Sequence, residues 1–510
     1  MLSSDLAISY ALLPPRFFTA VAPTAVSAPR LIKFNHALAA DLGLDVDGLD
    51  AAALAGFFSG NMLVPGTRPI AMVYAGHQFG QFVPQLGDGR AILLGEVRDR
   101  SGRRRDIQLK GAGRTPYSRG GDGRAALGPV LREYAVSEAM AALGIPATRA
   151  LAAVATGERV LREQPLPGAI LTRVAASHVR VGTFQFFAAR GDVEATQRLA
   201  HHVIERHYAE AAGAQNPVLE LLRATVRAQA SLIARWMSVG FIHGVMNTDN
   251  MAVSGETIDF GPCAFMDSYD PMTVFSSIDS QGRYAYANQP AAAQWNLARF
   301  AETLLPLLDS DGDKAIELAT AAIAEFSREF DEEWLSGMRR KLGLATALPE
   351  DGALARELLD LMRRSAADYT LTFRRLCDVA AADAAAADAA AADVAAADAA
   401  PARAADAPLL ALFGGSDAMR RWLEGWRARL SGEPRAAPGR AAGMLRANPA
   451  VIPRNHRIEQ AIAAALGGDY APFEWLCDVL SRPYAESTSD AAYQLPPRAE
   501  ERVLQTFCGT

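Results

Sequence analysis

Three stretches of this chain carry glycines or basic side chains at spacings that suit a phosphate. In Gln85–Arg90 (QLGDGR), Gly87 and Gly89 flank Asp88 and lead into an apolar run. Glycine lets backbone N–H groups approach an anion with no Cβ in the way. An Asp-Gly step also makes a two-residue hairpin turn, so these residues alone leave both roles open. Asp106–Arg124 (DIQLKGAGRTPYSRGGDGR) puts Lys110 at the end of a strand-like run, where an ammonium can reach a phosphate and be held by a helix carboxylate. Glu133 is the candidate partner and Glu138 its competitor; the plain alternative is a solvated lysine and a surface glutamate. The loop Arg119–Arg124 (RGGDGR) sets glycines around Asp122, among them Gly123, a backbone too costly in entropy for an idle connector, with a merely mobile loop as the other reading. Thr172–Arg180 supplies Arg173 and Arg180, whose planar forks suit phosphate oxygens and would equally serve solubility on a surface.

A fourth stretch is more specific. Phe241–Asn250 (FIHGVMNTDN) and Ile258–Pro262 (IDFGP) place an Asp-Phe-Gly nine residues after Asn250. That order resembles the metal end of a protein-kinase site, where the Asn and the Asp of Asp-Phe-Gly hold Mg2+ against the phosphates. Mg2+ is a hard ion that takes oxygen ligands, which Asn250 and Asp259 supply. Asp-Phe-Gly alone is a common accident. Behind a glycine hairpin, a strand lysine, a helix glutamate and a His-x6-Asn loop, in that order, it is a strong signal. One departure stands out: His243 and Asn250 keep the kinase spacing, but the general-base position is Val245, which accepts no proton. The nearest carboxylate is Asp249. Any base therefore sits at a different point relative to the phosphates, and ordinary γ-phosphoryl transfer is not the safe inference.

The elements that must position these residues fall into two textures. Residues 1–70 read as an irregular, proline-interrupted arm with a short helical pattern at Lys33–Leu42. Residues 71–190 read as a β-rich lobe, with strand-like runs at Ala91–Val97, Asp106–Leu109 and Gly168–Val174 and a helix at Leu127–Leu143 stopped by Gly144. Residues 191–377 read as a helical lobe. There Leu222, Val226, Ala230, Ile233 and Met237 share a face of one helix that ends at Gly240. Residues 378–408 repeat aspartate every fifth position in near-pure alanine, which spreads the carboxylates around a helix and leaves no apolar stripe. This segment reads as an acidic spacer that builds no core, removable from Val379 to Ala407 without loss. Residues 409–510 read as a helical extension. A β-rich lobe before a helical one predicts an α+β chain with a cleft between its lobes.

Composition sets outer bounds. The 510 residues carry 51 Lys and Arg against 57 Asp and Glu, a net charge of −6, which argues against a dedicated nucleic-acid binder. No apolar run is long enough for a membrane span, the N-terminus lacks a secretory pattern, and four cysteines exclude a disulfide scaffold. The expected setting is soluble and cytoplasmic.

The long motifs at 76–90 (GHQFGQFVPQLGDGR), 107–134, 243–252 (HGVMNTDNMA) and 258–267 (IDFGPCAFMD), with Asn448–His456 and Phe473–Tyr484, are similar to those of the selenoprotein O family. The resemblance spans nearly the whole chain outside the Ala/Asp segment. It implies a protein-kinase-like two-lobed fold that binds ATP in a flipped orientation. It also implies transfer of AMP to protein hydroxyls with Mg2+ or Mn2+, UMP transfer being the other activity of bacterial members. By the same resemblance Gly87, Gly89, Arg90, Lys110, Asp122, Gly123, Arg173, Arg180 and Asp259 bind the nucleotide, and Lys110 pairs with Glu133. Asn250 and Asp259 hold the metal, and Asp249 accepts the proton. A kinase activity and a non-catalytic nucleotide-binding regulator stay open as alternatives. Some family members carry selenocysteine near the chain end, where this chain has Cys508; a reversible disulfide to Cys263, just past the metal motif, would gate the cleft.

Overall fold

A computed structural model of the chain describes residues 6, 8–391, 400–433 and 437–507. Its N-terminal half is built on an antiparallel sheet with the strand order Phe18–Ala20, Ile70–Met72, Ala91–Arg98, Arg104–Lys110, Pro165–Ala175, Arg149–Leu161, Arg30–Phe34. The runs expected at Ala91–Val97, Asp106–Leu109 and Gly168–Val174 are therefore its three central strands. Both edge strands come from the arm that reads as irregular, a correction to that reading. Prolines break helices but do not stop short edge strands from pairing, and Phe18 and Arg30 stand opposite Met72 and Ala155. Arg149–Leu161 also escapes the sequence pattern. Its alanines lack a period-2 contrast because the strand is buried on both faces over Ala150–Val154.

Register decides which side chains can meet. Lys110 pairs across with Ala91 on one side and Leu171 on the other, and Gln108 pairs with Leu93 and Arg173. Directly paired residues share a face and alternate residues repeat it. Lys110, Gln108 and Arg173 thus point to one side of the sheet. The other side carries Ile92, Leu109, Ile170, Ile107 and Val174, which are packed into two apolar clusters. The helix Leu127–Ala142 covers the polar side with Val130, Leu131 and Tyr134. It stops as expected, Gly144 adopting φ +77.

The rest of the described chain is mainly helical. Pro217–Ser238 is capped by Asn216, whose side chain accepts from Leu219 N, and Gly240 ends it at φ +73. Leu222, Val226, Ala230 and Ile233 are fully buried along it. Gly312–Leu342, Asp351–Ser365, Tyr369–Ala391 and Asp417–Ser431 follow. No described helix is long and apolar enough to cross a membrane.

The Ala/Asp segment needs a correction at its stems. Val379, Ala380 and Ala384 are buried, because the helix that starts at Tyr369 carries its apolar face past Cys377 before the repeat takes over. Asp383 and Asp406 then grip the same guanidinium, that of Arg427, at 2.8–3.0 Å and 2.6–3.0 Å. Asp393 and Asp398 lie outside the described residues.

Candidate active site

The polar face of the sheet builds the floor of the site. Lys110 Nζ donates to Glu133 Oε2 at 2.6 Å and to Asp259 Oδ1 at 2.8 Å. Arg173 repeats the pattern, donating to Glu133 Oε1 at 2.5 Å and to Asp259 Oδ1 at 2.8 Å. The expected Lys110–Glu133 pair is therefore present, but as half of a four-membered ring. Glu138, the competitor, faces away and binds Arg149 and Asn35. Burial opposes the charge of Glu133 and Asp259, yet the flanking cations outweigh it and hold both carboxyls below their usual range, Asp259 far below. The ring thus sets two basic side chains against two carboxylates.

Asp259 reaches this ring from a backbone at φ +70, a left-handed conformation that costs an L residue about 1–2 kcal/mol. The segment before it is fixed by His243, which is fully buried. His243 Nε2 lies 2.9 Å from Ile258 O, and its Nδ1 accepts from Val245 N at 3.3 Å. One ring nitrogen donates to a carbonyl while the other accepts from an amide, so the ring is the neutral Nε2–H tautomer, and burial lowers its basicity in the same direction. His243 thus ties the Asn250 loop to the Asp259 segment and touches no cleft.

Arg180 spans the floor and the loop. Its Nη1 donates to the backbone oxygen of Asp249 at 2.7 Å and lies 3.8 Å from Asp259 Oδ2. Its guanidinium stacks on Tyr74 at 4.7 Å. Asp249 itself is buried, with Oδ2 accepting from Gln78 Nε2 at 3.2 Å and Oδ1 without a partner. Burial pushes its carboxyl up to about 6, against the pull of Arg180 and the Gln78 hydrogen bond. Asn250 donates from Nδ2 to Val245 O at 3.0 Å, a bond that does not use its carboxamide oxygen.

Above this floor opens a cleft of about 950 Å³. Gly87, Gly89, Arg90, Asp122, Gly123, Asp249, Asn250 and Asp259 all line it, so the structure brings together residues 172 positions apart (259 − 87). Lys110, Glu133, Arg173 and Arg180 lie beneath that surface, each buried. The glycines are required where they stand: a Cβ on Gly87 would meet Tyr117 Cγ at 2.5 Å, and one on Gly123 would meet Gly113 O at 2.1 Å. Asp88 does not face the cleft. Its Oδ2 accepts from Met72 N and Gln108 Nε2, so it braces the turn from below. Asp122 is engaged by Arg162 at 2.9 Å, and that pairing sits on the cleft wall.

Several contributors were invisible to residue-by-residue reading. The small hairpin Gly76–Gln78/Gln81–Val83 docks on the Asn247–Asp249 loop through His77, Gln78 and Phe79. Its only sequence signal is the His-Gln-Phe run between glycines inside the long 76–90 motif. The C-terminal region also closes on the site from behind. Arg132, next to Glu133, donates to Cys263 O, Asn455 Oδ1 and Glu459 Oε1. Arg454 binds Asp267 and Asp368. Cys263 is fully buried with its thiol directed to Phe260 O at 3.3 Å, so a disulfide there needs the segment to open. Cys508 lies outside the described residues, although Thr506 does reach this segment, bonding Pro262 O and Phe275 O.

Buried cations beneath a glycine-lined cleft, with carboxylates and an amide at its wall, define an enzyme that transfers a phosphorus-bearing group. More narrowly, the chain belongs to the protein adenylyltransferase SelO family, whose model matches residues 1–481. It is similar to the protein nucleotidyltransferase YdiU of Rhizobium rhizogenes, 61% identical over 505 residues that cover 98% of this chain and 96% of the relative. The proteins of the same name from Rhizobium meliloti and a Bradyrhizobium species are 61% and 60% identical, with 98% of each chain covered.

Proposed function

We propose that this cleft transfers AMP from ATP to hydroxyl side chains of proteins. Val245 carries the reading: it lines the cleft at the kinase base position and offers only hydrocarbon, while the buried carboxylate of Asp249 stands at the wall. A nucleotide whose α-phosphate faces Asp249 would present the correct bond. The acceptor hydroxyl would pass its proton to Asp249 as its oxygen bonds the α-phosphorus, and pyrophosphate would leave. Lys110, Arg173 and Arg180 would stabilise the phosphates from below, releasing Asp259 from part of their grip. Gly87, Gly89, Arg90, Asp122 and Gly123 would border the nucleotide.

Among the described residues no three His, Cys, Asp or Glu converge on a metal site. Mg2+ commonly uses one or two protein oxygens and lets substrate phosphates complete its shell, and the ionised Asp259 with the Asn250 amide oxygen fits that donor set. Bound there, Mg2+ or Mn2+ would neutralise phosphate charge. An antiparallel sheet bearing the lysine, a helix bearing its glutamate and a helical part bearing the Asn and Asp-Phe-Gly loops support a protein-kinase-like two-lobed fold.

The test is incubation with protein acceptors and ATP labelled on the α- or the γ-phosphate. Protein-bound α-label alone is expected. Bound γ-label would establish kinase chemistry instead, and no label with nucleotide still bound would leave a regulator. The same assay with α-labelled UTP and Mn2+ measures UMP transfer.

A further inference from the structure

We propose that Gln78 is a positioning residue that locks the rotation of the Asp249 carboxylate, with the Gly76–Val83 hairpin as its clamp. This rests on Asp249 being the proton acceptor. Three successive hairpin residues engage three successive loop residues. His77 N donates to Thr248 Oγ1 at 2.7 Å, Gln78 Nε2 to Asp249 Oδ2 at 3.2 Å, and Phe79 N to Asn247 Oδ1 at 2.9 Å. The latch is braced from behind. Thr248 Oγ1 donates to Gln185 Oε1 at 2.6 Å, Gln185 Nε2 meets His77 Nδ1 at 2.8 Å, and Tyr284 Oη donates to Asn247 Oδ1 at 2.9 Å. Phe79 holds a left-handed φ of +51 to reach its partner. Non-glycine residues rarely adopt that conformation, and the surrounding contacts must impose it.

The clamp acts on each carboxylate oxygen differently. A Cβ on residue 76 would lie 2.5 Å from Asp249 Oδ1 and 2.9 Å from Asp249 Cβ. Glycine therefore provides a notch that receives Oδ1, which is sealed from solvent and has no donor. Gln78 and Asp249 both line the cleft, so Oδ2, gripped by Gln78, is the oxygen presented there. A carboxylate otherwise turns about its Cβ–Cγ bond, and proton transfer needs a fixed acceptor within hydrogen-bond reach of the hydroxyl.

Gln78→Met keeps the length and removes the amide. The expected result is a fall in kcat for AMP transfer of about 10–100-fold, the scale of a misplacement near 1 Å, with ATP affinity within about twofold of wild type. Gly76→Ala fills the notch and should show the same split between kcat and ATP affinity; it decides the matter if Gln78→Met does not fold. Wild-type kcat in a folded Gln78→Met variant overturns the proposal, as does a loss confined to ATP affinity; Gly76→Ala is read in the same way where Gln78→Met does not fold. Asp249→Asn is assayed beside them. If it is inactive while Gln78→Met is fully active, only the clamp is refuted; if it transfers AMP normally, the assignment of the base falls and the clamp with it.

Discussion

Replacing Asp249 by asparagine should stabilise the fold at alkaline pH while removing activity. Burial raises this carboxyl from its ordinary 3.8 to about 6. A carboxyl with a raised folded value holds its proton more tightly in the native state than in the unfolded chain. Between pH 4 and 6 the native state therefore binds more protons, stability falls as pH rises, and above about pH 6 the cost is constant. At pH 8 it amounts to about 3 kcal/mol, and at pH 5 to about half of that, from 1.36 kcal/mol per decade of acidity. Asparagine avoids this cost but leaves an amide N–H2 in the notch where Oδ1 has no partner, which returns about 1–2 kcal/mol at every pH. The informative quantity is thus the change in the variant's advantage from pH 5 to pH 8, on the order of 1 kcal/mol. Unfolding entropy of about 2.1 cal/mol/K per residue over 510 residues converts this into a Tm difference of about 1 °C. Scanning calorimetry with a chelator present resolves it. An advantage that is the same at both pH values would refute the claim that burial burdens this carboxylate. Transfer activity of the variant should fall by about 10²–10⁴-fold, the usual contribution of a general base.

Two further outcomes follow from the ring and the stems. Glu133→Gln leaves Lys110 and Arg173 buried with Asp259 as their remaining anion, so urea unfolding should show a loss of about 3–5 kcal/mol; a loss under 1 kcal/mol would mean the two cations do not depend on Glu133. Removing Ala385–Arg403 should leave Tm and AMP transfer near wild type, because Asp383 and Asp406 share Arg427 and hold the stems together. Deleting Val379–Ala407 removes a buried valine and both carboxylates and should lower Tm by several degrees; equal behaviour of the two deletions would show that the stems contribute nothing.

The order of chemical groups was legible in the chain by itself. Glycine turn, strand-end Lys110, helix Glu133, Asn250 and Asp259 are local features, set by backbone freedom, side-chain type and spacing; Lys110 and Glu133 lie in elements the residue pattern identified, and the others in loops recognisable by motif. The absence of a base at Val245 and the presence of Asp249 are equally a matter of sequence. Tertiary structure decided what these groups do to one another. Strand register put Arg173 on the same face as Lys110 and so turned an expected pair into a ring with Glu133 and Asp259. Docking of the Gly76–Val83 hairpin, 168–171 residues before its partners, buried Asp249 and gripped one of its oxygens. Edge strands from the arm and Arg132's reach to Asn455 belong to the same class. Such contacts join residues far apart in sequence, and their energies depend on burial and register, neither of which composition or local pattern contains.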